Sequence, residues 1–472
     1  MGRDDVPEQW STPYRTCCDW SIIQAMPSLY RIVLAALCGI AWSPVFSAAQ
    51  SPVGLVAGPM VGYAEMREVL LWAQTSGPAQ VQFVYWDSLA PSRRYTTNTV
   101  TTDPTRSHTA KVIADSVEPG RTYEYELRVN AVVVPRPYPT RFRTPSLWQW
   151  RHDPPNVRIA LGSCFYVNEP QYDRPGTPYG GGFEVLDAIT AQRPDLMLWL
   201  GDNTYLREPD WFSRTGIFHR YSHTRAYPGL QPLLASTSHY AIWDDHDFGP
   251  NDSDMSYRDR HITREAFEAF WGNPAMGIDG GEGITSTFEW SDVQFFLVDD
   301  RSYRSANDRV TGTASFLGER QIGWLVNALK ASRATFKVIA VGGQVVNSSQ
   351  TFENYAQYPD ERARLFDALT SEGIAGVVFL SGDKHWTELS RMERPGSYPL
   401  YDITVSPLTA GLSTGWQREQ NAHRVAGTLV TERNFGMLEA HGPRDNRVLT
   451  ITIRDTHGRL KWTRDIAASE LR

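Results

Sequence analysis

Leu196-Met197-Leu198-Trp199-Leu200 runs without a break into Gly201-Asp202-Asn203-Thr204-Tyr205. Five apolar residues in succession, closed by a glycine, are too short for a helix and read as a strand buried on both faces. The turn that follows presents a carboxylate and, three residues on, a phenol. The same junction recurs. Val157-Arg158-Ile159-Ala160-Leu161 leads into Gly162-Ser163-Cys164, and Tyr240-Ala241-Ile242-Trp243 into Asp244-Asp245-His246-Asp247. Phe295-Phe296-Leu297-Val298 leads into Asp299-Asp300-Arg301, and Lys337-Val338-Ile339-Ala340-Val341 into Gly342-Gly343-Gln344. Val377-Val378-Phe379-Leu380 ends in Ser381-Gly382-Asp383-Lys384-His385.

Amphipathic segments lie between these strands. Ile322, Leu325, Val326 and Leu329 share one face of a helix expected over residues 319–332. Leu365, Phe366 and Leu369 do the same over 360–372, with Asp360 as the N-cap and Gly373 as the stop. Strands alternating with helices define an α/β chain, and ligands of open α/β sheets bind beyond the carboxyl ends of the strands. One Gly-Asp turn is an ordinary turn. Six strand ends that deliver thiol, carboxylate, phenol, imidazole and guanidinium to one region are not, because crowded carboxylates repel unless cations hold them.

Upstream, residues 50–147 are all β in character. Thr122-Tyr123-Glu124-Tyr125-Glu126-Leu127-Arg128-Val129 alternates at period two after the turn Glu118-Pro119-Gly120, as in the tyrosine-bearing strand of fibronectin III-like sandwiches. No chemical constellation falls there, so the segment reads as a packing domain ahead of a catalytic domain over 155–472. Earlier still, Arg31 precedes the uncharged run Ile32 to Trp42 and the small residues Ser47-Ala48-Ala49. That order is a secretory signal peptide over 1–49, cut before Gln50. About ten apolar residues fall short of the ~20 a spanning helix needs, so no stable anchor is expected after processing. The product is expected in the periplasm or secreted. Removal of 1–49 takes Cys17, Cys18 and Cys38, leaving Cys164 without a disulfide partner. With 472 residues, 41% hydrophobic, 21% charged and a formal charge of −7, the chain has the composition of a globular protein. No basic run marks a nucleic-acid surface.

Gly-Ser-Cys, Gly-Asp-x-x-Tyr, Trp-Asp-Asp-His and Ser-Gly-Asp-x-His, in that order, resemble the alkaline phosphatase D (PhoD-like) family of metallophosphoesterases. The resemblance runs from about Val157 to the C-terminus, and the β segment before it matches the family's usual N-terminal domain. No Arg-Arg pair precedes the apolar run, unlike the export signals of many members. The resemblance implies two packed β-sheets flanked by helices and hydrolysis of phosphate monoesters, diesters or phospholipids. It also implies a site that in some members holds one iron and two calcium ions. Carried over by motif, Cys164, Asp202 and Tyr205 are the expected iron ligands, and Asp245 and Asp383 the ligands of neighbouring cations. Asn251, in Gly249-Pro250-Asn251-Asp252, is a looser candidate. His246 and His385 fit the positions of a proton donor, phosphate contact or ligand.

The chemistry of the donors agrees. Thiolate and phenolate suit a trivalent transition ion, and oxygen-only sets suit calcium. Two readings stay open for Arg301: a bidentate clamp on a phosphate oxygen, or pairing with Asp299 and Asp300. Gln344 and Asn347 are either site amides or turn caps. A different class of protein, an exported binding protein stabilised by calcium without turnover, is the competing expectation. The intact set Cys164, Asp202, Tyr205, Asp245 and His246 speaks for the enzyme.

Overall fold

The computed structural model describes residues 53–472. The expected signal peptide lies outside the described residues. All six buried strands form, and they fall three and three into two sheets. Val157–Gly162, Leu196–Leu200 and Ser238–Ile242 are parallel neighbours in a nine-stranded sheet. Val293–Leu297, Phe336–Ala340 and Val377–Ser381 are parallel neighbours in a six-stranded one. Every residue of Leu196–Leu200, Ser238–Ile242, Phe336–Ala340 and Val377–Ser381 is buried, the polar Ser238, His239, Lys337 and Ser381 among them. One continuous core joins the sheets: Tyr240 of the first stacks on Phe288 of the second, with ring centroids 3.6 Å apart.

The helices over Glu319–Ala331 and Pro359–Ser371 form where the apolar spacing places them. The second starts one residue earlier than expected. Pro359, with its preset φ and no N–H to satisfy, takes the first turn, and Asp360 sits inside it. Gly373 stops that helix at φ +60°, a conformation that suits glycine.

The segment 53–147 is all β, but its strands divide. Gln80–Asp87 and Thr122–Val129 pair in a small separate sheet. Leu55–Ala64, Val69–Thr75 and Thr109–Ala114 instead extend the nine-stranded sheet, where Val61 pairs in parallel with Ser238. The large sheet therefore runs across the boundary drawn at residues 147–155. Its opposite edge is built from the chain's end, where Asn434–His441, Val448–Asp455 and Leu460–Ala467 pair antiparallel beside Val157–Gly162.

Candidate metal centre

The carboxyl ends of the two sets of parallel strands meet. Their approach is close enough to exclude side chains between them. A Cβ on Gly342 would stand 2.5 Å from Asp244 Cγ, and one on Gly201 (φ +91°) 2.6 Å from Asp244 Cβ. Gly342 lets the ends of the two sheets converge on one point, and Gly201 lets neighbouring strand ends of the large sheet do the same.

At that point Cys164 Sγ lies 3.7 Å from Asp202 Oδ2, and the Tyr205 hydroxyl donates to the same oxygen at 3.0 Å. Three residue types from two strand ends thus surround one position. His385 joins them, its Nε2 at 3.1 Å from the Tyr205 hydroxyl. Possible ligand atoms then continue in overlapping sets. Cys164, Asp202 and His385 form one; Asp202, Asp245 and His246 the next; Asp244, Asp245 and Asp383 a third; Asp245, Asp252 and Glu353 a fourth. Within each set the ligand atoms lie within 4.8 Å of one another. Asp202 and Asp245 are shared between sets, the arrangement needed for carboxylates placed between adjacent ions.

Asp244-Asp245-His246-Asp247 shows how local folding sorts four polar residues. Asp244 caps the short helix Asp245–Phe248, and Asp247 Oδ2 accepts from the backbone N–H of Asp244 and of Asn203, both at 3.1 Å. Those two carboxylates hold the turn. Asp245 and His246 are left to line a cleft of about 190 Å³, together with Tyr179, Asp202, Asn251, Asp383 and His385. Asp252 supplies its backbone N–H to Asp245 Oδ2 at 2.7 Å.

Burial without counter-charge pushes the Cys164 thiol, the Tyr205 phenol and the Asp202 carboxyl well above their ordinary values, with the Asp202 charge adding to the first two and Asp245 to the third. Burial carries Asp383 up to about 7 against the pull of Lys384, and Asp252 up to about 7. Asp245 goes the other way: burial opposes its charge, but His246 and Arg301 outweigh it. The protein alone would keep protons on the thiol, phenol and carboxyl; a highly charged cation would take their place and remove that cost. Asp244 Oδ2 and Asp245 Oδ1 are buried without a hydrogen-bond partner, and so is His246 Nδ1. Orphaned acceptors beside a thiol and a phenol fit a group of metal ions.

Six residues of these ligand sets hold left-handed backbone although none is glycine: Cys164 (φ 58°), Asp202 (54°), Asp252 (59°), Glu353 (62°), Asp383 (65°) and His385 (59°). Such conformations cost about 1–3 kcal/mol each and persist where the surroundings enforce them, typically at functional sites.

The structure corrects the reading of Arg301 as a phosphate clamp. Its side chain is fully buried, Nε donates to Asp244 Oδ1 at 2.6 Å, and Nη1 and Nη2 grip the two oxygens of Glu353 at 3.0 and 3.1 Å. No donor faces the cleft as a clamp would require. The partners are also not the expected ones, since Asp299 Oδ1 accepts from Trp243 Nε1 and Asp300 Oδ2 from the backbone of Gly343. Gln344 and Asn347 are structural: Gln344 donates to Glu388 and Thr404, and Asn347 to Gln344 and Glu419. Asn251 lines the cleft at its exposed rim, while its neighbour Asp252 enters a carboxylate set.

Glu353 escaped the sequence reading because nothing around it resembles a strand-end motif; only Arg301 and Arg304 from another sheet connection reveal it. Tyr179 and Ser406 were missed likewise. The Ser406 hydroxyl donates to Cys164 Sγ at 3.1 Å, and the Tyr179 hydroxyl lies 3.3 Å from His385 Nδ1. His219 and His223 show the four-residue spacing of a metal pair on the helix Arg214–Arg225. They do not line the cleft: His219 pairs with Glu169, and His223 Nε2 meets the Asn168 carbonyl.

Two β-sheets that meet at their carboxyl ends over linked acidic sets make a metallophosphoesterase-like fold. The model of the PhoD-like phosphatase family matches residues 160–448, and the chain belongs to that family. A domain of unknown function (DUF7800) matches residues 52–147. Alkaline phosphatase D of Bacillus subtilis (strain 168) is 22% identical over 330 residues, 60% of this chain and 54% of the relative. The match thus spans about half the length of that relative. A solved structure of PhoD superposes with a TM-score of 0.71 at 16% identity, covering 88% of this chain and 90% of that one. The purple acid phosphatase PPD1 from yellow lupin seeds (Lupinus luteus) gives 0.62 at 11% identity, with 87% of this chain and 74% of that one covered. At these identities the likeness is one of fold.

Proposed function

We propose that the protein is an exported, metal-dependent hydrolase of phosphate monoesters or diesters, phospholipids included. The observation that carries this reading is the convergence of Cys164, Asp202 and Tyr205 on one position, joined through Asp202 and Asp245 to further carboxylates. Cys164, Asp202 and Tyr205 would hold iron, because thiolate and phenolate favour a trivalent transition ion. Asp245 and Asp383, with Asp252 and Asn251 beside them, would hold calcium or a similar hard cation. Bound cations supply Lewis-acid neutralisation of the phosphoryl oxygens and acidify water to a nucleophile near neutral pH.

The chain's own residues do the rest. Asp202 and Asp245, shared between ligand sets, would each hold more than one cation. His246 and His385 line the cleft with imidazoles that can hold a proton at the leaving oxygen or contact the phosphate. Tyr205 packs against the His246 ring at 4.3 Å between centroids, which limits its rotation. Arg301 acts beneath the site by holding Asp244 and Glu353 in place. Export is supported by the charged, apolar and small-residue order of residues 31–49.

Thiolate and phenolate on ferric iron absorb visible light, so the pure protein is expected to be coloured. Elemental analysis should find iron and calcium, and p-nitrophenyl phosphate or bis-p-nitrophenyl phosphate should be cleaved. Cys164→Ser should lower colour, iron content and turnover together. Iron and turnover that survive Cys164→Ser would show the thiol to be a bystander and remove this metal assignment.

A further inference from the structure

Phe352 is a large apolar ring left 40% exposed in a turn, and it lines the cleft. Its backbone is held in the left-handed region (φ 52°), and so is that of Glu353 (φ 62°). Two consecutive non-glycine residues in that region are costly, and here the cause is visible. The Glu353 side chain is drawn inward by Arg301 and by Asn307 Nδ2 at 2.9 Å. The carbonyl of Phe352 is held by the Lys384 ammonium. With both anchors set, the Phe352 ring is turned outward to the cleft instead of joining the core.

Tyr179 lines the same cleft, 37% exposed. Its ring packs edge-on against Tyr166 at 4.9 Å, and its carbonyl accepts from Arg433 Nη2 at 3.1 Å, so it too is held. The two rings flank the segment that carries Asp383 and His385: Phe352 meets Lys384 (Nζ 5.5 Å from the ring centre), and Tyr179 meets His385. The exposed Arg418 guanidinium stands 5.7 Å from the Phe352 ring and brings positive charge to this side of the cleft.

We propose that Phe352 and Tyr179 are the walls of a subsite for a planar ring, so that the substrate is a phosphate ester whose alcohol carries a flat aryl or nucleoside group. This rests on the esterase reading above and extends it. Small polyol esters gain less from held aromatic walls than a flat ring, which gains stacking and apolar burial on binding.

The test uses the metal-loaded protein with 2-naphthyl phosphate, a nucleoside 5′-monophosphate and glycerol 3-phosphate. Phe352→Ala is expected to raise KM for at least one ring ester about tenfold relative to glycerol phosphate. Phe352→Trp should retain the low KM. Which of the two ring esters responds more distinguishes an aryl from a nucleoside source. If Phe352→Ala does not fold, Phe352→Leu keeps apolar bulk without a ring and reads the same ratio. Equal changes on all three esters, or none, overturn the subsite and leave the esterase standing. No turnover by the unaltered enzyme on any of the three, nor on bis-p-nitrophenyl phosphate, overturns the esterase reading and the subsite with it; cleavage of bis-p-nitrophenyl phosphate alone, with a KM that Phe352→Ala leaves unmoved, overturns the subsite only.

Discussion

The small sheet of the N-terminal segment and the strand ends of the metal centre are both buried and both rich in tyrosine, yet they are built on opposite terms. In the small sheet, Tyr85, Tyr123, Tyr125 and Phe142 pack ring on ring, with Phe142 5.2 Å from Tyr123 and 6.0 Å from Tyr125. Their hydroxyls are used up: Tyr85 accepts from the Ser116 N–H, Tyr123 from the Glu118 N–H, and Tyr125 donates to the Ala235 carbonyl. Left-handed residues in this segment, such as Asn130 and Ala131, sit at an exposed hairpin turn. At the metal centre, by contrast, left-handed residues bear thiol, carboxylate and imidazole, and buried acceptors have no partner. The aromatic cluster of the first region has its hydroxyls met by backbone groups of the protein. The second leaves buried acceptors that fit cations, and that is the difference between the two regions.

The comparison breaks most visibly at Asp202, the carboxylate shared by two ligand sets. Asp202→Asn is expected to lower turnover by about 10³-fold or more and to reduce both iron and calcium content. Loss of activity with full metal content would show Asp202 to be other than a ligand.

His246→Ala should cost about 10²-fold in kcat if the imidazole delivers a proton to the leaving oxygen. The loss should be smallest for nitrophenyl esters, whose leaving groups need little protonation. An equal loss on nitrophenyl and alkyl phosphates would move His246 to a binding role.

The difference can be sharpened by removing the cations and varying pH. In the metal-free protein the carboxyls of Asp383 and Asp252 are raised to about 7 and that of Asp247 to about 8, all by burial. The folded state then holds more protons than the unfolded chain between pH ~4 and pH ~8. Stability from these groups is therefore full at low pH and is lost as pH rises through 7 to 8. Metal-free protein should melt higher at pH 5 than at pH 8, and calcium should raise the pH 8 value selectively. A metal-free melting temperature that climbs with pH over this window would contradict the site's charge balance.

The smallest effect on chemistry is expected in the other region. Phe142→Ala should destabilise the fold by about 3–5 kcal/mol in urea melts, because it empties the centre of an aromatic cluster. At 25 °C its kcat on nitrophenyl phosphate should stay within about twofold. A large loss of kcat in protein still fully folded would tie the small sheet to the site.

How far the sequence could be read follows from which interactions are local. Apolar runs force strands to be buried on both faces, so six strands, their polar ends and two helices were legible from Val157 to His385. Cys164, Asp202, Tyr205, Asp245, His246, Asp383 and His385 were legible for the same reason, since each directly follows such a run and the structure brings all seven together. What the sequence could not decide depends on pairing between distant segments. Periodicity assigns Leu55–Ala64 to a strand, but only backbone hydrogen bonding to Ser238–Ile242 makes it part of the large sheet. Arg301 has the same neighbours in sequence whether it clamps a phosphate or ties down a loop. Its burial between Asp244 and Glu353, 57 and 52 residues away, settles which, because an ion pair across that distance exists only once the sheets have packed.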